Sequence, residues 1–240
     1  VSARGAAEYV SDRQMKLAGG GFLVDSASSA AFCDRCRRTG VLDVEFVLIP
    51  DKNQLAEPAV VMGAFRRNGA ADLLLYQSAD TLWLDVVMPP NADRPIRVEL
   101  GKLRPGQPNH VLLCYVANMP NDKLVCYLDG KVTVSEDYDG GFSNWSADQV
   151  IFGQDLADDR SWRGRIMAIA LGHRSYNAAG AAERYEAVRR RFVSADAAQA
   201  MAREDSCIDA GAGGRILSAE GGRSKPADAN RTVPGDLYVE

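Results

Sequence analysis

The stretch of residues 109–173 constrains the fold of this chain more than any other. It contains four apolar segments of strand length, at residues 109–116, 123–134, 149–153 and 162–173. Polar loops separate these segments, and the second segment is divided by Asp129-Gly130, a pair that readily forms a tight hairpin turn. Apolar runs punctuated in this way are typical of an antiparallel strand meander.

The preceding residues continue this pattern. In residues 41–50, Leu42, Val44, Phe46 and Leu48 alternate with the residues of the opposite face, which indicates a strand with one strongly buried side. Further strand candidates follow at residues 59–65, 72–77, 81–87 and 96–100. About ten short strands with frequent turns predict an all-β fold, a two-sheet antiparallel jelly-roll sandwich with a few peripheral helices.

Helical patterns flank the strand-rich region. Residues 28–38 predict a helix capped by one of its first serines and ended by Gly40. A short helix is predicted at residues 6–10, and two short strands around a glycine turn at residues 15–24. Asn177 is predicted to cap a closing helix that packs one face on the sandwich.

Three parts of the chain follow from these elements. Residues 1–40 are predicted to form an N-terminal extension of short strands and a helix that packs on the sandwich. Residues 41–193 form the sandwich with its closing helix. Residues 194–240 form a partly extended C-terminal tail, with a second short helix near residues 195–203 and an edge strand at residues 235–240.

Composition excludes some classes of function. The formal net charge is −4 and the sequence pI is about 5.3, so the chain offers no general attraction to nucleic acid or anionic lipid. No apolar run reaches the ~20 residues that span a bilayer, which predicts a protein that is not transmembrane. The sequence begins with Val1 and lacks a signal-peptide pattern, so a processed mature form or an excised piece of a longer protein is expected.

Five features in order carry a family resemblance. They are His110-Val111, the hairpin of residues 127–131, Phe152-Gly153, residues 162–166 and the helix start at residues 176–183. Together they resemble the laminin-G-like, pentraxin-type branch of the concanavalin A-like lectin and glucanase superfamily. The resemblance covers residues 41–192. It departs from the family at Met167, where many members carry an Asp.

The resemblance implies a non-catalytic recognition module of an exported or surface protein, in an extracytoplasmic location. Such a module would bind a glycan or a protein ligand through its rim loops, here residues 135–146 and 153–161. Tyr138, Asn144 and Trp145 are the predicted ligand-binding residues, because aromatic rings stack on sugars and amides bond to their hydroxyls. The alternative is a structural or accessory subunit of a larger assembly, which the odd cysteine count and the tail would suit.

An enzyme is not predicted. Glucanase relatives on this fold need carboxylates spaced along one strand, whereas here Leu48 replaces the third acid after Asp43 and Glu45. Those two acids are expected on the solvent side of the strand. His110 and His173 lie in no nucleophile context, and each is expected to be a packed residue rather than a base.

A calcium site is the one predicted cofactor site. Residues 153–159 contain three carboxylates, Asp155, Asp158 and Asp159, beside backbone carbonyls. Hard oxygen ligands of this kind suit calcium. The spacing is not that of an EF-hand, so a solvated turn is the other interpretation of this loop.

The cysteines leave two interpretations open. Cys33 and Cys36 lie on the buried face of a predicted helix and behave as small hydrophobic residues in the simplest reading. If the hairpin before residue 123 is centred on Pro120, Cys114 and Cys126 face each other across two strands. They would then form either a cross-strand disulfide or two buried thiols.

Overall fold

The computed structural model describes residues 1–11, 14–52, 57–88, 94–117, 123–138, 140–156, 160–192 and 237–239. Within these residues the chain forms thirteen strands and two helices. The strands are β1 (Ser2–Ser11), β2 (Gln14–Leu23), β3 (Val41–Pro50), β4 (Ala59–Phe65), β5 (Ala71–Ser78), β6 (Thr81–Val86), β7 (Ile96–Lys102), β8 (Asn109–Val116), β9 (Lys123–Leu128), β10 (Lys131–Asp137), β11 (Gln149–Phe152), β12 (Arg163–Gly172) and β13 (Leu237–Val239). The helices are α1 (Ser26–Thr39) and α2 (Ala178–Phe192).

The strands form one antiparallel sheet that curls on itself. Its order is β10-β9-β8-β3-β12-β2-β11-β4-β5-β6-β7, with β1 paired to β2 and β13 to β12. The two ends of this path almost meet, because a methyl group added at Gly101 of β7 would lie 2.7 Å from Cδ1 of Leu128 and 3.5 Å from Cγ2 of Thr133. The result is the jelly-roll sandwich that the sequence predicts, and the prediction of fold class is confirmed.

One apolar core fills the space between the two layers. It consists of the inward-facing residues of the strands together with Phe32, Cys33 and Cys36 of α1. The buried side of α1 is therefore part of this core. The second helix lies outside the layers. Val188 packs on Val47, Ile49 and Met167, while Ala181 packs on a separate cluster around Leu112 and Tyr127.

Capping side chains and a glycine define the ends of the helices. The carboxylate of Asp25 accepts a hydrogen bond from the backbone N–H of Ser28 at 2.8 Å, so Asp25 caps α1 and the predicted serine cap is wrong. Gly40 ends α1 at φ 68°, a conformation that glycine adopts without strain. Asn177 caps α2 as predicted, because its side-chain oxygen accepts from the N–H of Gly180 at 2.8 Å.

The N-terminal residues depart from the prediction. Residues 6–10 belong to β1 and are not helical, and β2 runs through its glycines as one strand instead of two. A β-bulge between Gly5 and Ala7 absorbs the irregular register of this pair. Because β2 lies between β12 and β11, the predicted boundary at residue 40 falls inside a continuous sheet.

The C-terminal strand is confirmed in part. Residues 237–239 pair antiparallel with β12, as expected of a returning edge strand, whereas the helix predicted near residues 195–203 lies outside the described residues. In the part of the chain that the structure describes, no helix is both long enough and apolar enough to cross a membrane.

Candidate functional site

The predicted ligand-binding loop after β10 plugs one end of the sandwich. Trp145 is only 1% exposed, and its indole N–H donates to the carbonyl oxygen of Val87 at 2.9 Å. Its ring packs on Phe142 with centroids 4.5 Å apart. The indole therefore belongs to the core and presents no ring face for a sugar to stack on, contrary to the sequence prediction.

The other two predicted residues lie near this plug. Tyr138 is half-buried against the core, and its hydroxyl donates to Glu136. Burial, followed by that carboxylate, raises the pKa of Tyr138 above its usual value. Asn144 is partly buried. The structure thus keeps the three side chains on one loop without giving them a shared, solvent-facing site.

A buried carboxylate that the sequence analysis missed fixes this loop. The Asp72 carboxylate is fully buried and accepts hydrogen bonds from the backbone N–H groups of Ser146 and Ala147, both at 2.7 Å. Arg66 donates to the other carboxylate oxygen through Nε at 2.7 Å. A buried charge is tolerated when it is paired and hydrogen-bonded in this way. Asp72 therefore serves the fold.

The next feature is the predicted calcium loop, residues 153–159, of which Asp155 contacts an arginine. Asp155 is 3% exposed and accepts a hydrogen bond from Nε of Arg160 at 2.9 Å, so its carboxylate is paired with a cationic side chain. Asp158 and Asp159 lie outside the described residues. Among the residues that the structure describes, no group of three His, Cys, Asp or Glu side chains is placed to hold a metal ion.

The predicted opposition of Cys114 and Cys126 is wrong. In the pairing of β8 with β9, Cys114 faces Val125 and Cys126 faces Leu113. A shift of one residue sends side chains to opposite faces of a sheet, so Cys126 enters the main core while Cys114 lies on the outer cluster beneath α2. Both are buried free thiols, and burial raises the pKa of Cys126 to about 12.

The sandwich has two outer faces, and α2 covers one of them. We call the outer surface of β3, β8 and β12 the helix-covered face. Here Glu45 is 5% exposed and accepts from Nε of Arg184 at 2.9 Å and from its NH2 group at 2.7 Å. Burial alone would raise the pKa of Glu45, but the hydrogen bonds from His110 and Arg184 outweigh it and lower the pKa below its usual value.

The acids of β3 are therefore buried, contrary to the expectation that they face solvent. Asp43 is also 5% exposed, and its carboxylate accepts from the backbone N–H of Arg174 at 2.6 Å. His110 is packed as predicted, with Nε2 2.8 Å from Oε1 of Glu45. Alternation in the sequence identifies this outer face but not the helix that covers it.

Among the described residues, the opposite outer face has no helix in its apolar cluster. That cluster contains Val60, Leu74, Tyr76 and Ile151, and Trp83 packs on it from β6. We call this surface, on β4–β7 and β11, the helix-free face. It is bounded by the loop after β11, where the backbone N–H of Val60 donates to the carbonyl oxygen of Arg160 at 3.1 Å.

Cross-strand pairing groups four side chains on the helix-free face. Tyr76 lies opposite Trp83, and Asp85 opposite Arg97. Arg97 holds both oxygens of Asp85, at 2.9 Å through Nε and 2.8 Å through NH2. The same guanidinium carbon lies 5.8 Å from the centroid of the Tyr76 ring, within the range of a cation–π contact.

This group remains accessible to a ligand. The Arg97 side chain is 63% exposed, and Trp83 is partly exposed. Arg160 lies close enough to Tyr76 to bias its pKa, although burial is the main influence and raises that pKa. A partly exposed indole beside fixed donors and acceptors can hold both the apolar and the polar side of a ligand.

A signal for this face was present in the sequence. In residues 81–86 the core residues Leu82, Leu84 and Val86 alternate with Thr81, Trp83 and Asp85. A tryptophan on the polar side of an alternating strand is informative where it joins other apolar side chains, because contiguous exposed apolar patches mark interaction sites. The sequence analysis instead placed the site on loops.

No family model matches this chain, and no curated protein matches it. Solved structures do. The chain is similar to the Ruminococcus gnavus IT-sialidase CBM40 bound to α2,3-sialyllactose, with 13% identity, a TM-score of 0.56, and coverage of 73% of this chain and 99% of that one. It is also similar to the binding domain of botulinum neurotoxin DC in complex with rat synaptotagmin II, with 9% identity and a TM-score of 0.57.

The coverage of the toxin domains is partial. The match to neurotoxin DC covers 78% of this chain and 46% of that chain, and the match to the type G receptor binding domain covers 72% and 42%, with a TM-score of 0.54 at 12% identity. These identities show the fold alone. The class that the fold defines is a jelly-roll sandwich of the lectin-like type, and its structural neighbours include carbohydrate- and receptor-binding domains.

Proposed function

We propose that this chain is a non-catalytic binding module that recognises a glycan on the helix-free face. The observation that carries the proposal is the cross-strand group of Tyr76, Trp83, Asp85 and Arg97, in which a partly exposed indole lies beside an ion pair on a rigid sheet. Binding groups held on strands lose little conformational freedom when a ligand arrives.

The chemistry of this group matches that of a sugar ring. The C–H face of a sugar is apolar and stacks on an indole, while its hydroxyls need donors and acceptors at the edge. Arg97 offers donors beyond the two that hold Asp85, since a guanidinium has five. An acidic sugar would gain a charge-assisted contact to the same guanidinium.

The solved neighbours agree with this class of ligand. A CBM40 domain of similar fold binds a sialylated lactose, and a toxin domain of similar fold binds a protein receptor. A protein ligand is therefore the other outcome of the test. As the resemblance implies, we place the module in an exported or surface protein. The assembly-subunit alternative depends on the tail, most of which lies outside the described residues.

The proposal includes no catalytic step, and the contacts of Glu45 support this part of it. Glu45, the strand carboxylate nearest to a glucanase pattern, is buried against Arg184 and His110. A glycosidase needs a pair of carboxylates that face the scissile bond from one cleft. Sugar release from any glycan that binds would contradict this part of the proposal.

The test is a glycan array followed by titration of each hit with the purified chain. We expect Trp83→Ala to weaken binding by about tenfold or more, and Arg97→Ala to do the same for acidic glycans, as for hot-spot residues generally. Val132→Ala is the matched control, because Val132 is 52% exposed and lies on β10. Repeating the titration with EDTA tests the predicted role of calcium.

The outcomes separate the alternatives. Glycan binding that survives both substitutions would move the site away from the helix-free face. If the array shows no glycan and a receptor protein binds in a manner sensitive to Trp83→Ala, the face is a protein-binding surface instead. Unfolding curves of each variant confirm that any loss of binding reflects the surface and not the fold.

A further inference from the structure

Strand β7 places a further charged side chain, Glu99, on the helix-free face. In the pairing of β6 with β7, Glu99 lies directly opposite Trp83. Side chains that oppose each other in an antiparallel pair share one face, with Cβ atoms about 4.5–5.5 Å apart. Glu99 is exposed, whereas Val98 and Leu100 on either side of it belong to the core. The carboxylate therefore lies on the surface, beside the indole of the proposed glycan site.

A β-bulge in β7 brings Glu99 to this position. The register shifts by one residue between Leu82 and Trp83, which leaves Leu100 as an extra residue on β7. In a regular ladder Trp83 would lie opposite Leu100, and a slip of one residue exchanges the two faces of a strand. Arg97 and Glu99 would then point into the core. The bulge therefore turns both charged residues to the helix-free face.

The charges around the indole do not cancel. Arg97 is held by both oxygens of Asp85, and Arg160 is paired with Asp155. Glu99, in contrast, has no hydrogen-bond or ion-pair partner in the part of the chain that the structure describes. The two arginine pairs are neutral, so the carboxylate of Glu99 leaves this group of side chains with one uncompensated negative charge.

An unpaired carboxylate beside an indole is suited to the hydroxyl groups of a sugar. An ionised carboxylate only accepts hydrogen bonds, and its two oxygens can accept from two donors at once. Such charge-assisted bonds are about twice as strong as neutral ones. Arg97 lies two residues along the same strand, about 7 Å away at the usual rise per residue, and offers donors. A ring stacked on Trp83 would thus meet an acceptor at one edge and a donor at the other.

We propose that Glu99 determines the class of glycan that the helix-free face accepts. A neutral sugar residue stacks on Trp83 and donates from two adjacent hydroxyls to the Glu99 carboxylate. An acidic group can still contact Arg97, but it then lies close to the charge of Glu99, so the face favours the neutral form of the same glycan. This inference rests on the proposed function, because it requires a glycan on this face, and it extends that proposal by naming the sugar class.

The test is an array on which each neutral glycan is printed beside its sialylated or sulfated form. The natural chain is compared with Glu99→Gln, which keeps the shape of the side chain and removes its charge. We expect the affinity for neutral glycans to fall about tenfold, because an amide oxygen replaces a charged acceptor. The acidic forms should gain about threefold, as expected for two like charges roughly 7 Å apart in water.

Two further variants identify the cause of any change. Glu99→Asp retains the charge on a shorter side chain, so it should still disfavour the acidic forms while binding the neutral ones more weakly. Glu183→Gln is the matched control, because Glu183 is an exposed glutamate on α2, on the helix-covered face. It removes the same charge from the chain, and it should leave both classes of glycan unaffected.

The results distinguish this inference from the proposed function. If Trp83→Ala weakens glycan binding while Glu99→Gln leaves the ratio of neutral to acidic binding unchanged, Glu99 does not select the ligand and the glycan site remains. A natural chain that prefers the acidic forms would likewise overturn the inference alone. If no glycan binds, or if binding is insensitive to Trp83→Ala, the proposed glycan site is wrong and the role of Glu99 is wrong with it.

Discussion

Each outer face of the sandwich carries an ion pair between an arginine and a strand carboxylate, and the two pairs differ in their surroundings. Glu45 on β3 and Asp85 on β6 each receive an arginine through Nε and NH2. The arginine of Glu45 comes from α2 and its side chain is 38% exposed, whereas the arginine of Asp85 comes from the next strand and is 63% exposed. The covering helix places an arginine over the first carboxylate, which also contacts a histidine, whereas the second carboxylate holds an arginine on the surface where we propose that a ligand binds.

The largest difference between the faces should appear in stability. We expect Glu45→Ala to lower the free energy of unfolding by about 1–3 kcal/mol, because it leaves the buried His110 and the half-buried Arg184 without their acceptor. Asp85→Ala removes a pair whose arginine is 63% exposed and should cost only about 0–1 kcal/mol. Urea unfolding monitored by circular dichroism measures both values.

A double variant separates the contribution of the ion pair to the free energy of unfolding from that of the packing around it. Replacing Glu45 and Arg184 together by Met removes both charges, and its loss should be smaller than that of Glu45→Ala alone. Equal losses for Glu45→Ala and Asp85→Ala would contradict the distinction between the two faces.

The pH dependence of stability should also differ between the faces. The pKa of Glu45 is lowered in the folded chain by His110 and Arg184 against the effect of burial, so the unfolded chain binds its proton first as the pH falls. The stabilisation from Glu45 is then complete above the unfolded pKa of about 4.3 and is lost as the pH drops through the lower folded value. Unfolding free energies between neutral and acidic pH should fall more steeply in the natural chain than in Glu45→Gln, and parallel curves would remove Glu45 from the explanation.

The smallest expected effect concerns the helix itself. Asn177→Ala removes the cap of α2 and should cost about 1 kcal/mol. Hydrogen exchange should rise in the first turn of α2, while glycan binding on the helix-free face should remain unchanged. Asn177→Asp is the matched control, because aspartate caps a helix equally well.

The strands were predictable where inward apolar residues alternate with outward residues along the segment. Residues 41–50, 59–65 and 81–87 show inward apolar positions, and each is a strand in the structure. Residues 6–10 were not predictable in this way, because their alanines and glutamate favour a helix locally and only the pairing with β2 makes them a strand. Tertiary context therefore outweighed local propensity there.

The sites were less predictable than the strands. Trp145 lies in a polar loop sequence and Trp83 in an alternating strand, yet the first fills the core beside Phe142 and the second lies on a surface. The predicted pairing of Cys114 with Cys126 is wrong by one residue of strand register. The length of the loop between two strands does not by itself determine that register. What covers a face and how a loop closes depend on residues far away in the chain.

The position of β2 has a consequence for how the chain is made. Leu23 and Ala18 of this early strand pair with Ile151 of β11 and Arg163 of β12, roughly 130 residues or more further along a chain that pairs mostly at long range. During synthesis β1 and β2 must wait for the last strands before the two halves of the sheet can join. The sheet therefore cannot close before β11 and β12 are present, and the hairpin of β1 and β2 is the piece that joins its two halves.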